Sequence, residues 1–469
     1  MNATDLEGQG KDIASHELEN VDAIGAISFT DEEEKALVKK IDLTLLPTIW
    51  VMYLLSYLDR TNIGNAKISG MEVDLNLTSN QYSIALVVFF VGYVVFEVPS
   101  NLALSRSRPS IYLPSIMILW GALTCVMAAV KSFAHLVALR TILGCIEAGF
   151  APGVILLLSS WYKQTEQSKR FGVFISAAVL SGAFGGLIAA GIVEGLEGAH
   201  GIRGWRWLFI IEGVITIGFA ISSIFILPDF PTTTRRLSER ERQIAVARLA
   251  SQDSTATTPD TEHLGNFDAC KVACKDLRTW TFIIGYMVIV GSSTLTYFYP
   301  TLVKGLFGSV STKEINLLTV PIYGVAFVAT GITSYYGDKI STWRGLIIAC
   351  WLGFSLICSI LVCIIHDFSA RYALLVLMAA GLWSTNGGTL AYASSAFASM
   401  HPQARAVALA MINALGNLAQ IYGSYLFPVS DSPEYIMGFS VISAMLTVGV
   451  IVFLFLHVWF RRRLRSGLI

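Results

Sequence analysis

The chain of 469 residues is 54% hydrophobic and only 14% charged, with a formal net charge of zero and a mean hydropathy of +0.61. Soluble domains carry about 25% charged residues, so the composition excludes an ordinary soluble domain and indicates a polytopic membrane protein. The lack of a basic excess gives no reason to expect nucleic acid as a partner.

Residues 1–42 are polar and acidic and contain no apolar run of the signal-peptide kind. They are expected to form a cytoplasmic tail, with the first spanning helix acting as its own targeting signal. A bilayer core of about 30 Å needs about 20 apolar helical residues, and windows of that length number twelve. Six fall at roughly 43–64, 81–104, 111–130, 133–158, 173–195 and 205–227. The polar stretch 228–278 is a central loop. Within it, 232–250 predicts a short amphipathic helix and Ser251 to Pro259 a flexible Ser/Thr-rich segment. Six more windows fall at roughly 280–302, 315–336, 344–365, 371–395, 405–428 and 435–460, before a basic tail at 461–469. The expected fold is an all-α membrane protein: two six-helix bundles, 43–227 and 279–460, with a central cavity between the halves.

Lys and Arg set the orientation. With both termini cytoplasmic, the inner loops hold Arg106, Arg108, Lys163, Lys169, Arg170, the basic linker, Lys339, Arg344, Arg405 and the tail arginines. This topology puts the sequon Asn76-Leu77-Thr78 outside, as a candidate glycosylation site. Cys270 and Cys274 are four apart, with His263 as the one other soft ligand nearby. A structural zinc needs four ligands, so no metal is expected.

Two apolar windows carry charge. In LLSYLDRTNIGNAKI (54–68), Asp59 and Arg60 are neighbours and point about 100° apart on a helix. Arg60 can then address a ligand while Asp59 addresses another helix. The other reading is an interfacial pair that snorkels to the headgroups. In LRTILGCIEAGFAPG (139–153), Arg140 and Glu147 lie two turns apart on one face, and Gly144 on the same side admits another backbone. The other reading there is an ion pair that staples helices. Each such charge costs about 2.5–3.5 kcal/mol on insertion scales. The depths of Arg60 and Arg140 nearly coincide and Glu147 lies close to the midplane, where transporter sites are usually placed.

Two arginines and two acids make a neutral chamber. Protonating Glu147 or Asp59 frees an arginine to take a carboxylate in a two-pronged hydrogen bond. Proton and anion would then enter together, driven by a proton gradient with no other cofactor.

The order LDRTNIGNAKI, FFVGYVVFEVPSNL (89–102), RTILGCIEAGFAPG and GWRWLFIIEG (204–213), followed by LPDFP (227–231), resembles the anion:cation symporter family of the major facilitator superfamily. The fungal allantoate permease-like branch is the nearest match, over roughly residues 40–460. By that resemblance Asp59 and Glu147 correspond to proton-handling acids and Arg60 and Arg140 to substrate-anion arginines. Tyr57 and Tyr93 fall where the family places cavity tyrosines. The loop LALSRSRPSI (102–111) departs from the superfamily pattern and keeps only Arg106 and Arg108. The equivalent loop YYGDKISTWRG (335–345) keeps Asp338, Lys339 and Arg344 as candidate gating residues, which supports an internal repeat.

The second half offers uncharged cavity candidates. Asn413, Asn417 and Gln420 are spaced i, i+4, i+7 and line one face, to meet substrate or a neighbouring helix. The expected function is uptake of a small organic anion (a carboxylate, vitamin-like acid or ureide) with a proton, by alternating access. The chain is expected to work as a monomer in the plasma membrane. Export of an acidic metabolite and a non-transporting nutrient sensor are the alternatives. No nucleophile–base set, metal spacing or phosphate loop suggests an enzyme.

Overall fold

The computed structural model describes residues 29–465 apart from 106, 257–264, 308–309 and 398–399. Among the described residues, twelve helices are long and apolar enough to cross a membrane. They are α1 (Asp31–Asp74), α2 (Ser79–Leu104), α3 (Pro109–Met127), α4 (Phe133–Trp161), α5 (Lys169–Val193) and α6 (Gly204–Ile224) in the first half. The second half holds α7 (Leu277–Leu306), α8 (Thr312–Gly337), α9 (Arg344–Ile364), α10 (Phe368–Ala396), α11 (Gln403–Gly423) and α12 (Ile436–Arg462). All twelve expected spans are present.

The halves repeat one packing plan. In the first, α1 packs on α5 and α6, α2 on α4, and α3 on α6. In the second, α7 packs on α11 and α12, α8 on α10, and α9 on α12, which is the same set shifted by six helices. Between the halves, α5 lies along α8 and α2 meets α11, which are again equivalent pairs. The seams run through small residues that let backbones approach. A Cβ on Gly144 would sit 2.1 Å from the Phe89 carbonyl oxygen, and one on Gly182 2.2 Å from the Tyr323 ring.

Several helices depart from simple rods. The first begins at Asp31, well before the apolar window, because Thr30 and Glu33 form a capping box. Four acids in its first turn suit the positive end of the helix dipole. Helix α4 breaks at Ala148 and Gly149, immediately after Glu147. Helix α7 tightens into a 3₁₀ turn over Thr294–Phe298.

The linker forms helices at Glu239–Ala256 and Asn266–Lys275. The first starts later than 232 and continues past Ser251, while 257–259 lie outside the described residues. It docks on the first half through the buried Arg248, which donates to Glu34 (2.9 Å), Glu166 (2.6 Å) and the Trp161 carbonyl (3.1 Å). Lys40 donates to Glu241 at 2.8 Å and holds that carboxyl below the usual carboxylate range.

Candidate functional site

With twelve spanning helices in succession, the start of α1, the α6–α7 linker and the end of α12 lie at one end of the bundle. The other, far end carries the α1–α2 turn. The named contacts between the halves gather on the far side of Arg60. Tyr82 donates to the Tyr297 carbonyl at 3.3 Å, and the Val429 amide donates to Ser79 Oγ at 3.1 Å. A Cβ on Gly64 would lie 2.8 Å from the Tyr297 carbonyl oxygen. Just beyond Arg60, a small polar cleft is lined by Thr61, Asn65 and Gly182 from one half and Thr296, Thr319 and Tyr323 from the other.

Arg60 and Glu147 meet. Arg60 Nε donates to Glu147 Oε1 at 2.7 Å, and Ser56 Oγ donates to the same oxygen. Ser56 sits one turn before Arg60, so both reach α4 from one face of α1. The pair is buried, with side-chain exposures of 7% and 1%. Arg60 Nη2 and Glu147 Oε2 have no hydrogen-bond partner among the described residues. Each group therefore keeps hydrogen-bonding capacity in reserve, in a place where an unmet polar atom is costly.

The guanidiniums stack on aromatic rings. Arg60 lies 4.8 Å from the Tyr93 ring centroid, 5.0 Å from Tyr57 and 5.4 Å from Phe89. Arg140 lies 4.8 Å from the same Phe89 ring. It donates from Nε to the Ala85 carbonyl at 3.3 Å, while its Nη1 has no partner among the described residues. Phe89 thus brings both cations to one ring, because Gly144 allows α2 to press against α4 at that level. Glu97, one turn beyond Tyr93, is half-buried and within electrostatic reach of Arg60.

Asp59 faces the other way. Its Oδ2 accepts from Trp120 Nε1 on α3 at 3.1 Å and from Thr216 Oγ1 on α6 at 3.4 Å. This is the divergence that adjacent helical positions impose. The four charges therefore lie on two sides of α1, with Arg60, Arg140 and Glu147 toward α2 and α4 and Asp59 toward α3 and α6.

The facing wall from the second half is neutral. Tyr297 approaches Phe90 with ring centroids 5.9 Å apart and donates to Gln420 at 3.4 Å. A hydrogen-bonded row continues down α11, from Gln420 to Asn417 (3.5 Å) and from Asn417 to Asn413 (3.4 Å). Tyr286 donates to Asn386 at 3.3 Å and lies within electrostatic reach of Tyr57, Tyr93 and Glu97 across the gap.

Residues 338 and 339 end the helix Thr312–Lys339; the side chains of Asp338 and Lys339 lie outside the described set. Arg344 bonds within its own half, to Gly337 O (3.2 Å) and Ser395 Oγ (2.7 Å). Asn76 is exposed in the α1–α2 turn with a positive φ of 49°.

Sequence reasoning did not single out Ser56, Phe89, Trp120 or Thr216 as members of the site. Spacing carried part of the signal, since Ser56 and Phe89 stand four residues before Arg60 and Tyr93.

The model of the Major Facilitator Superfamily matches residues 49–424. The MFS transporter prlL of a fungal species (strain NRRL 50135) is 35% identical over 448 residues, covering 92% of this chain and 88% of that protein. The major facilitator-type transporter hxnP of Emericella nidulans is 30% identical over 450 residues, covering 92% and 86%. Among solved structures, a bacterial homolog of the human lysosomal transporter Spinster, inward-facing and unoccupied, matches with a TM-score of 0.69. The match covers 93% of this chain and 99% of that one at 16% identity, which shows a shared fold. The chain therefore belongs to the major facilitator superfamily and is a multi-pass secondary active transporter, not an enzyme.

Proposed function

We propose that this transporter carries a small organic anion together with a proton, as a member of the anion:cation symporter family in its fungal allantoate permease-like branch. The observation that carries the reading is the buried Arg60–Glu147 contact at 2.7 Å, with a free guanidinium nitrogen on one side and a free carboxylate oxygen on the other. A proton on Glu147 removes the charge that holds Arg60. The planar guanidinium can then take a substrate carboxylate in a two-pronged hydrogen bond.

Charge counting supports coupling. Asp59, Arg60, Arg140 and Glu147 sum to zero when all are ionised. One added proton leaves a single positive charge, which one carboxylate neutralises. In a buried site a net charge is costly, so proton and anion load as a pair. Tyr57 and Tyr93 confine the Arg60 guanidinium, and Asn413 and Asn417 offer neutral hydrogen bonds to the rest of the anion. Asp338, Lys339 and Arg344 are the candidate residues of a gating loop at the α8–α9 turn.

Alternating access then runs by rocking of the two halves about this site. The excess of Lys and Arg on the linker side supports cytoplasmic termini, with Asn76 outside and available for glycosylation. We place the protein in the plasma membrane, working as a monomer.

The test is an uptake screen of carboxylic acids (nicotinate, pantothenate, biotin-like acids, ureides and sugar acids) in cells expressing the chain, at two external pH values. Uptake that rises at the lower pH is the expected result. Uptake indifferent to pH, or secretion of the acid instead, overturns proton-coupled import.

A further inference from the structure

Glu212 is a fifth ionisable side chain at the level of the site, and the mechanism above gives it no work. It lies on α6, in the stretch GWRWLFIIEG, and is 2% exposed. Neither of its carboxyl oxygens has a hydrogen-bond partner among the described residues.

Its setting is specific. Thr216, one turn further along α6, donates to Asp59 Oδ2 at 3.4 Å, so the face of α6 that carries Glu212 is the face turned to Asp59. Asp59 and Glu212 lie within electrostatic reach of each other. Asp59 Oδ1 is likewise without a partner among the described residues. The neighbouring Gly213 is pressed onto α3, where a Cβ would lie 2.6 Å from the Gly121 carbonyl oxygen. The two acids thus occupy a tight seam between α1, α3 and α6.

Few groups around the seam can carry charge. Helix α3 contributes Cys125, whose thiol is directed at the Ile210 carbonyl (3.7 Å) and lies within electrostatic reach of Asp59. Helix α1 contributes Asp59. Helix α5 carries no ionisable residue from 171 to 193. Arg140 acts on Asp59 from the other side, and among the described residues no cation is bonded to Glu212. A buried carboxylate with no donor among the described residues, beside a second buried carboxylate, is an arrangement poorly able to hold two negative charges.

We propose that Glu212 is a second proton-binding residue of this transporter, holding a proton beside ionised Asp59 on the face of α1 turned away from the substrate arginines. Asp59 keeps its negative charge, bonded to Trp120 and Thr216. The proton on Glu212 leaves that charge unopposed by a second anion. Releasing that proton puts two negative charges side by side, so its uptake and release give the seam a dependence on pH. The inference rests on the proton-coupled reading, but it concerns an acid that the reading does not use.

Infrared spectroscopy of the purified full-length chain tests it without any substrate. Near neutral pH the wild type should show a protonated-carboxyl C=O band, and part of that band should be missing in Glu212→Gln but retained in Glu147→Gln. An identical band in the wild type and Glu212→Gln overturns the proposal. A neutral acid without partners should be replaceable, so Glu212→Gln and Glu212→Leu are both expected to fold; failure of both to yield folded protein also overturns it, by marking Glu212 as a structural hydrogen-bonder. In cells, Glu212→Gln should flatten the pH profile of uptake while leaving substrate exchange intact. Wild-type uptake indifferent to pH would instead refute proton coupling, and the infrared result would still decide the protonation of Glu212.

Discussion

The two halves of this transporter share one packing plan and differ in what they bury at its centre. The first half sets Asp59, Arg60, Arg140, Glu147 and Glu212 at or near mid-depth, all of them buried. The second half presents Tyr286, Tyr297, Asn413, Asn417 and Gln420. Its buried Arg371 stands at the far end, at the start of α10. The same six-helix arrangement therefore forms without mid-depth charge. The fold does not need the ionised residues, and their cost of about 2.5–3.5 kcal/mol each on insertion scales is left to be explained by chemistry. On the proposed proton–anion reading, that division leaves the coupling charges to the first half and the selection among anions to the second.

The largest expected effect comes from changing the shape of one charge. Arg60→Lys keeps the cation but replaces a planar fork with a point charge. Loss of a charge-assisted hydrogen bond, worth about 1.5–3 kcal/mol, should cut uptake on the order of 10- to 100-fold at normal surface levels. Wild-type uptake by this variant would remove Arg60 from the site and dissolve the contrast between the halves.

Next is the packing that brings the cations together. In Gly144→Ala the new methyl would fall 2.1 Å from the Phe89 carbonyl oxygen, so α2 must shift. Overpacking of this kind costs about 1–3 kcal/mol. Thermal stability of the purified protein should fall and uptake with it. An unchanged melting temperature would show that the α2–α4 seam is looser than the close approach implies. Phe89→Leu should act more gently, raising the half-saturating substrate concentration several-fold, because each exposed-to-buried cation–π contact is worth about 0.5–2 kcal/mol.

The second half should respond in kind rather than in amount. Asn417→Ala removes one neutral hydrogen bond, worth about 0.5–1.5 kcal/mol. The ranking of competing acids should change while the pH profile stays put. A changed pH profile with the ranking intact would contradict the division of labour. The smallest effect is expected at the linker, where Glu241→Gln breaks an exposed contact to Lys40. Such pairs contribute about 0–1 kcal/mol, so uptake should stay within about twofold.

How much of this was legible beforehand follows from the same contrast. Charges inside apolar windows stand out, so Asp59, Arg60, Arg140 and Glu147 were readable as a group, and the 100° divergence of neighbours anticipated that Asp59 and Arg60 part company. Ser56, Phe89, Trp120 and Thr216 are ordinary residues of a spanning helix. Their place depends on which helices touch, which one sequence does not state. Phe89 lies beneath two arginines only because α2 meets α4 at Gly144. The early start of α1 is hidden for a different reason: its first turns are built on a capping box and acids, to which a hydropathy window is blind.

The most direct test of the central claim is a transport assay of Glu147→Gln in sealed vesicles with an imposed pH gradient. The account predicts that this variant exchanges internal for external substrate yet does not accumulate it. Accumulation driven by the pH gradient to the wild-type level would contradict the claim and place the coupling proton elsewhere.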